Sequence, residues 1–379
     1  MNRASIVFGM TGACATPGGI AAANLNVLHA LAGLAETTGA RLSVLSYLER
    51  ASDRPPFLPA SVEFKAFAGS RPRFTLELLD RAGRRPLFVF DHVTLCLPLL
   101  PLSAAGAART VTFAHGSEAW RRVRRTSRWC FRHARLCVTN SHYTLGKMRQ
   151  RLAGFKGVAC PLGLSPSFPL NRDAPPESDD PVELTAADGR TRALGRRALL
   201  LVARMHPGER EKGHYEMLEV MPRLLEHFPG VQLVFAGPGE DAENLRRAAL
   251  SKGVAGAVFV AGRVPVETLR RLYARCYAFV MPSRQEGFGL VYLEAMNYAK
   301  ACVGCYEQGA EEVILDGRTG ALVRDPSDAG ELFEVLRRLL GDPARTRELG
   351  LNGFRRLHAD FTAERYQQRV REQIGALLC

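Results

Sequence analysis

The sequence predicts an α/β protein made of two doubly wound domains that face each other across a cleft. Three observations carry this expectation. Short apolar runs of strand length alternate with stretches of helical period, which is the pattern of crossover units around a parallel sheet. A single polar stretch, residues 161–197, interrupts that alternation near the middle of the chain. The length of 379 residues is long for one domain and natural for two.

The first series opens with strand Ser5–Gly9. A loop, Thr11–Gly19, follows and closes on Pro17-Gly18-Gly19. Helix Ile20–Ala35 comes next, with Leu25, Leu28 and Leu31 on one side. Further strands are expected at 41–45, 62–67, 86–90, 110–114, 136–139 and 157–160. The segment Ala174-Pro-Pro-Glu-Ser-Asp-Asp-Pro181 is too polar and too rich in proline to build a core, so 166–197 reads as a linker or surface excursion. The second series runs strand 198–203, helix 214–228, strand 231–236, helix 241–252, strand 257–260, helix 265–276 and strand 278–281. The expected domains are 1–165 and 198–361. Residues 362–379 should form a helix that packs back on the first domain.

Hydrophobic residues make up 46% and charged residues 23%, which excludes disordered and fibrous classes. No apolar run reaches the length of a membrane span. The start Met1-Asn-Arg-Ala-Ser-Ile-Val-Phe8 enters a strand directly and has no signal-peptide pattern, so a cytoplasmic protein is expected. Nine cysteines, several inside apolar runs, read as reduced core residues. Cys302 and Cys305 form a lone C-x-x-C and fit a buried strand better than a zinc site. A net charge of +13 calls for an anionic partner: nucleic acid, acidic lipid or a phosphorylated ligand.

The most informative run is Pro282-Ser-Arg-Gln-Glu-Gly-Phe-Gly-Leu-Val-Tyr-Leu-Glu-Ala-Met296. Glu286 falls in a loop and Glu294 on the helix that the loop opens. Between them Gly287, Phe288, Gly289 and Leu290 present backbone N–H groups at a helix N-terminus, a geometry suited to a diphosphate. Two carboxylates beside an anion cradle suit a nucleotide-sugar, with hydroxyls at both ends and phosphates between. Other candidates follow strands directly, where ligands of open parallel sheets bind. Arg204 ends the strand at 198–203, and Lys212 follows a short polar loop; together they can neutralise a diphosphate. Gly18 and Gly19 let the backbone approach a ligand, and His115 follows the strand at 110–114. Gly237-Pro-Gly239-Glu-Asp-Ala242 matches a dinucleotide pattern, but no acid ends the next strand, so a dehydrogenase ranks well below a transferase. Gly237 is kept among the donor-binding positions.

Taken together these residues resemble the family 4 retaining glycosyltransferases, which have the two-domain, Rossmann-like GT-B fold. The E-x7-E element is Glu286 and Glu294, and the Gly-Gly-x-x-Glu element reads Gln308-Gly309-Ala-Glu-Glu312. Gln308 stands in place of the first glycine, and Ala299 and Ala301 stand where the family often has Gly and Pro. The resemblance implies that Glu286 contacts hydroxyls of the transferred sugar and that Glu294 holds the ribose hydroxyls. It implies that Arg204, Lys212 and the amides near Phe288, Gly289 and Leu290 bind the diphosphate. Arg263 and Val264 would lie near the base, and His115 would position the sugar. No cofactor and no metal are expected.

Residues 117–135 carry seven arginines and two tryptophans. Helical spacing there gives one core-facing stripe, with Arg121, Arg122, Arg124, Arg125 and Arg128 left to meet an anionic membrane or a phosphorylated acceptor. The expected activity is transfer of a hexose-type sugar from a UDP- or GDP-sugar to a glycan or lipid-linked acceptor, in surface polysaccharide or lipopolysaccharide synthesis. The enzyme would be peripheral on the inner face of the membrane. Two alternatives stay open: a nucleotide-sugar epimerase or hydrolase of the same fold, and a basic nucleic-acid-binding protein. The second would need stacking platforms or a nucleic-acid module, and the sequence has neither, so no nucleic acid partner is expected.

Overall fold

A computed structural model describes residues 4–15, 18–116, 123–176, 178 and 180–378. The chain divides into two compact units, residues 1–169 with 360–379, and residues 170–359.

The first unit holds seven strands: β1 (Ser5–Met10), β2 (Arg41–Ser46), β3 (Glu63–Ala66), β4 (Leu87–Phe90), β5 (Arg109–Ala114), β6 (Leu136–Thr139) and β7 (Gly157–Ala159). They form one parallel sheet in the order β3-β2-β1-β4-β5-β6-β7. The inner strands are buried almost without alternation, because helices cover both faces of such a sheet. Those helices are α1 (Gly19–Thr38), α2 (Arg71–Ala82), α3 (Leu100–Ala104), α4 (Arg125–His133) and α5 (His142–Arg151). Gly39, left-handed at φ 67, ends α1. Ser141 opens α5 by accepting the Thr144 N–H. The strand order reverses between β1 and β4, so a crevice opens beyond their carboxyl ends.

The second unit contains β10 (Ala198–Val202), β11 (Gln232–Ala236), β12 (Val258–Gly262), β13 (Ala278–Val280), β14 (Ala301–Cys305) and β15 (Gly320–Val323), after a hairpin of β8 (Glu183–Thr185) and β9 (Thr191–Ala193). The six strands form a parallel sheet ordered β12-β11-β10-β13-β14-β15, with the reversal between β10 and β13. Its helices are α6 (His214–His227), α7 (Ala242–Ser251), α8 (Val266–Arg275), α9 (Leu290–Asn297), α10 (Ala310–Val313), α11 (Ala329–Gly341) and α12 (Pro343–Asp360). Cys302 and Cys305 both lie buried in β14.

The stretch expected to be a linker is partly folded. Its hairpin joins the second sheet's outer strand, where the Ala187 N–H donates to Val258 O at 2.8 Å and Ala186 bridges Phe259. The burial of Val182 and Leu194 beneath it explains why a polar segment becomes ordered. The basic helix expected over 117–135 is helical from Arg125 to His133 among the described residues; Arg121 and Arg122 lie outside them.

The last helix, α13 (Ala363–Gly375), belongs to the first unit. Tyr366, Val370 and Ile374 recur every four residues and form its buried stripe. Asn26 of α1 donates to Leu164 O at 3.1 Å and accepts from Gln367 at 3.0 Å. Arg369 reaches Pro161 O at 2.7 Å. Gly163 has to be glycine, because a Cβ there would lie 2.4 Å from Thr362 O.

Candidate active site

In the second unit, the loops that leave β10 and β13 meet at the reversal of strand order. Arg204 follows β10, and its exposed guanidinium pairs with Glu209. His206 accepts the Gly208 N–H at 3.0 Å and starts the short 3-10 turn Pro207–Lys212. Gly213 then turns left-handed at φ 91. A Cβ at that position would sit 2.8 Å from Pro282 Cγ, so this glycine allows the β10 loop to lie against the β13 loop. The Arg284 N–H donates to Glu211 O at 2.9 Å and ties the two loops together.

That contact brings Lys212 to Glu286. The ammonium lies 3.0 Å from Glu286 Oε2 and 3.4 Å from Gln285 O. Burial works most strongly against the charge on Lys212, but the Glu286 carboxylate beside it and the charges of Glu209 and Glu211 together outweigh it, and the pKa rises. Glu286 Oε1 accepts from the Gly287 N–H at 3.1 Å. The peptide of Glu286 is held at both ends: its N–H by Gln308 Oε1 at 3.3 Å, and its C=O by the Gly309 N–H at 2.8 Å. A Cβ on Gly309 would fall 2.2 Å from Gly287 O, which accounts for the glycine in the Gly-Gly-x-x-Glu element. Gln308, standing in place of its partner glycine, supplies one of the two holds.

Gly289 starts α9 at φ 89, and a Cβ there would strike the Tyr292 ring at 2.3 Å. No side chain caps this helix end; the Tyr292 N–H turns back to Gly289 O at 3.0 Å, which leaves the N–H groups of Leu290 and Val291 to meet an anion. Phe288 is buried beneath them. Glu294 lies one turn further on and accepts the Tyr273 hydroxyl at 2.8 Å. Desolvation pushes the Glu294 carboxyl up to about 7, against the hydrogen bond from Tyr273. A carboxyl in that state ionises readily when hydroxyls arrive to bond it.

Gly237 and Gly239 serve packing. Added Cβ atoms would lie 2.0 Å from Ala203 O and 1.8 Å from Met205 O. The Met205 N–H donates to Pro238 O at 2.9 Å. The dinucleotide-like pattern is thus the buttress behind Arg204. Arg263 and Val264 leave β12 on the neighbouring strand.

In the first unit, Gly18 caps α1 at φ 136 and Gly19 is its first residue. His115 follows β5; its ring stacks on Phe113 with centroids 6.2 Å apart, and its carbonyl accepts from Asn140 at 2.6 Å. Asp91, the residue after β4, is fully buried; desolvation raises its pKa, while Thr11, Asn24 and His115 favour the ionised form. Sequence reasoning missed Asp91, Glu49, Tyr273 and Gln308. Asp91 and Glu49 carried the same signal as Arg204: a charged residue just past the end of a strand. Tyr273 carried none, since it reaches Glu294 from α8.

Among the described residues no group of His, Cys, Asp and Glu is arranged to hold a metal ion, and no helix is long and apolar enough to cross a membrane.

Residues 196–342 match the family model described as Glycosyl transferases group 1. A GDP-mannose-dependent alpha-(1-6)-phosphatidylinositol monomannoside mannosyltransferase of Mycolicibacterium smegmatis is 31% identical over 261 residues, 66% of this chain and 65% of that protein. The match therefore spans a little under two thirds of the relative. Among solved structures, a sucrose-phosphate synthase from Thermosynechococcus elongatus superposes with a TM-score of 0.75 at 19% identity, over 99% of this chain and 98% of that one. HepE of Anabaena, in complex with UDP, gives 0.74 at 16% identity, over 98% and 100%.

Proposed function

Since residues 196–342 belong to the group 1 glycosyl transferases and the whole chain has the GT-B fold, we propose that the protein is a retaining glycosyltransferase. It moves a hexose-type sugar from a UDP- or GDP-sugar to a glycan or lipid-linked acceptor. The observation that carries this reading is the cluster at the β10/β13 reversal. Lys212 and Glu286 lie 3.0 Å apart beside the uncapped N-terminus of α9, and Glu294 stands one turn along. Cation and helix end suit the phosphates of a nucleotide-sugar, and the carboxylates suit its hydroxyls. The mannosyltransferase relative supports a GDP-mannose-like donor and a lipid-linked acceptor. The UDP complex of HepE supports a nucleoside diphosphate.

In the reaction, the bond from the anomeric carbon to the diphosphate breaks and the acceptor oxygen bonds that carbon from the same face. The acceptor's proton goes to the departing phosphate oxygen on that face. Charge grows on the diphosphate as it leaves, where Arg204, Lys212 and the α9 amides stabilise it. Glu286 holds sugar hydroxyls, Glu294 holds the ribose and His115 orients the sugar. Exposed Arg124, Arg125 and Arg128, with Trp129 at 56% exposure, give a surface for an anionic membrane that carries the acceptor.

The test is nucleotide release from a panel of UDP-, GDP- and ADP-sugars, with thermal shift by the free nucleotides and by a single-stranded oligonucleotide alongside. Stabilisation follows mass action. A nucleotide response with turnover of one donor supports the transferase; a response to the oligonucleotide alone overturns it.

A further inference from the structure

The segment that leaves β1 is held by carboxylates that the reaction above does not employ. Glu49 lies three residues past β2 and is 1% exposed. One of its oxygens receives three successive backbone N–H groups: Ala13 at 2.9 Å, Cys14 at 2.5 Å and Ala15 at 3.0 Å. Its other oxygen accepts the Ser46 hydroxyl at 2.7 Å. Upstream, Asp91 accepts the Thr11 N–H at 2.8 Å and Asn24 Nδ2 at 2.7 Å, and Asn24 also donates to Gly12 O at 2.8 Å. Every residue from Thr11 to Ala15 is thereby fixed by a side chain of another element.

Three consecutive amides that converge on one oxygen form a nest, an arrangement that binds anions. Here the chain supplies the anion itself. Glu49 has no cationic partner among the described residues, so its charge rests on these four donors. The amides of 13–15 are committed to it and cannot reach a phosphate. What the loop offers a ligand is its far end, Gly18 and Gly19 at the uncapped start of α1. This end stands at the β1/β4 reversal, where a ligand of such a sheet binds.

We propose that Glu49 is a positioning residue for the transfer: it fixes the Thr11–Ala15 segment in one shape before substrate arrives, so that Gly18, Gly19 and the first turn of α1 meet the sugar-nucleotide without a loop to order. This rests on the transferase reading of the site. Ordering a loop at the moment of binding weakens apparent affinity, whereas a loop ordered in advance does not. The role therefore appears in KM for the donor.

Cys14, exposed in the middle of the segment, reports on the loop independently of activity. Burial, then the charges of Glu49 and Asp53, raise its thiol pKa. The experiment alkylates the full chain with iodoacetamide across pH, follows the Cys14 peptide by mass spectrometry, and measures KM and kcat with GDP-mannose and UDP-glucose. Glu49→Gln keeps an acceptor oxygen and removes the charge: its Cys14 profile moves to lower pH, its limiting rate at high pH stays that of wild type, and its KM changes less than two-fold. Glu49→Ala removes the acceptor as well: the limiting rate rises about ten-fold and KM about five-fold or more, with kcat within two-fold. Ser46→Ala, which removes one of the four donors, moves the same quantities a smaller distance and serves if Glu49→Ala does not fold.

Limiting rates at the wild-type value in Glu49→Ala, or in Ser46→Ala if it alone folds, overturn the anchoring. A raised limiting rate with an unchanged KM overturns the role in binding. A wild-type protein that releases nucleotide from no donor overturns the transferase reading and the donor role of Glu49 together, and the labelling then still decides whether Glu49 holds the loop.

Discussion

At the residue scale, Glu294 couples the site to pH. Its carboxyl sits at about 7 in the folded chain, against 4.5 for an ordinary glutamate. The sign follows from proton binding. Between those two values the native state holds a proton that the unfolded chain has released, so this group lowers stability as pH rises through that window, and the loss levels off above 7. Ribose hydroxyls bond the ionised form, so donor affinity should climb over the same range. KM for the donor is expected to fall between pH 6 and 8, and Glu294→Gln should lose that slope. Tyr273→Phe removes the hydrogen bond that favours ionisation and should move the profile to higher pH. A KM flat with pH in wild type would separate Glu294 from the donor. Lys212 and Glu286 make a second prediction. Lys212→Ala removes a charge that stabilises the leaving diphosphate, which costs about 10²–10³ in kcat by analogy with the loss of one oxyanion donor. Glu286→Ala should abolish transfer; it also removes the partner of Lys212 and the acceptor of the Gly287 N–H, a local loss that should leave the fold intact by circular dichroism.

At the scale of elements, the loops that build the site depend on glycines whose neighbours can be named. Gly237→Ala places a Cβ 2.0 Å from Ala203 O in a left-handed residue, so the loop behind Arg204 must shift. Gly253→Ala, also left-handed at φ 71, meets nothing within 4 Å. The second change should cost about 1 kcal/mol from backbone strain alone. The first should cost clearly more in urea denaturation and should also weaken nucleotide binding. The reverse substitution is informative at Ala299. The family often has Gly there, and the structure gives the reason: Ala299 is held at φ 53, in the left-handed region that glycine adopts without strain. Ala299→Gly should stabilise the chain by about 1 kcal/mol, read from the urea midpoint at constant m. These cases mark the limit of what sequence makes legible. Strands β1 to β7 and β10 to β13 were readable because buried parallel strands are short, largely apolar runs. The E-x7-E run was readable because both its glutamates and its glycines lie within fifteen consecutive residues. The Glu49 nest, the Tyr273 bond to Glu294 and the Gln308 clamp were not, because each joins residues 20 or more apart through geometry that no local period encodes. The 183–193 hairpin was missed for a related reason: its order comes from pairing with β12, and its own composition is that of a loop.

At the scale of the molecule, charge and exposed apolar side chains point one layer of the first unit toward a surface. Helices α2 and α4 pack into the same core, through the 3-10 turn Val93–Leu99 between them. On their exposed sides Leu76 is 66%, Leu79 43% and Trp129 56% accessible. The same two helices and the residues at their ends carry exposed Arg71, Arg73, Arg84, Arg85, Arg124, Arg125, Arg128 and Arg132, in a chain of net charge +13. Arginines near an anionic bilayer contribute about 1 kcal/mol each at most, and apolar side chains add area that enters the headgroup boundary. Either alone gives weak binding; together they predict recruitment that depends on lipid charge, on salt and on Trp129. Full-length protein should co-sediment with phosphatidylglycerol vesicles at about 0.1 M salt and not with phosphatidylcholine. It should be released as salt approaches 1 M, where the screening length falls to about 3 Å. Replacing Arg124, Arg125 and Arg128 with Glu should abolish recruitment, and Trp129→Ala should weaken it. Neither change touches the donor residues, so nucleotide release in solution should stay at the wild-type rate while transfer to a vesicle-borne acceptor falls. Equal recovery on neutral and anionic vesicles would leave this layer without a role at a membrane. A fall in both assays together would place these arginines in the catalytic machinery itself.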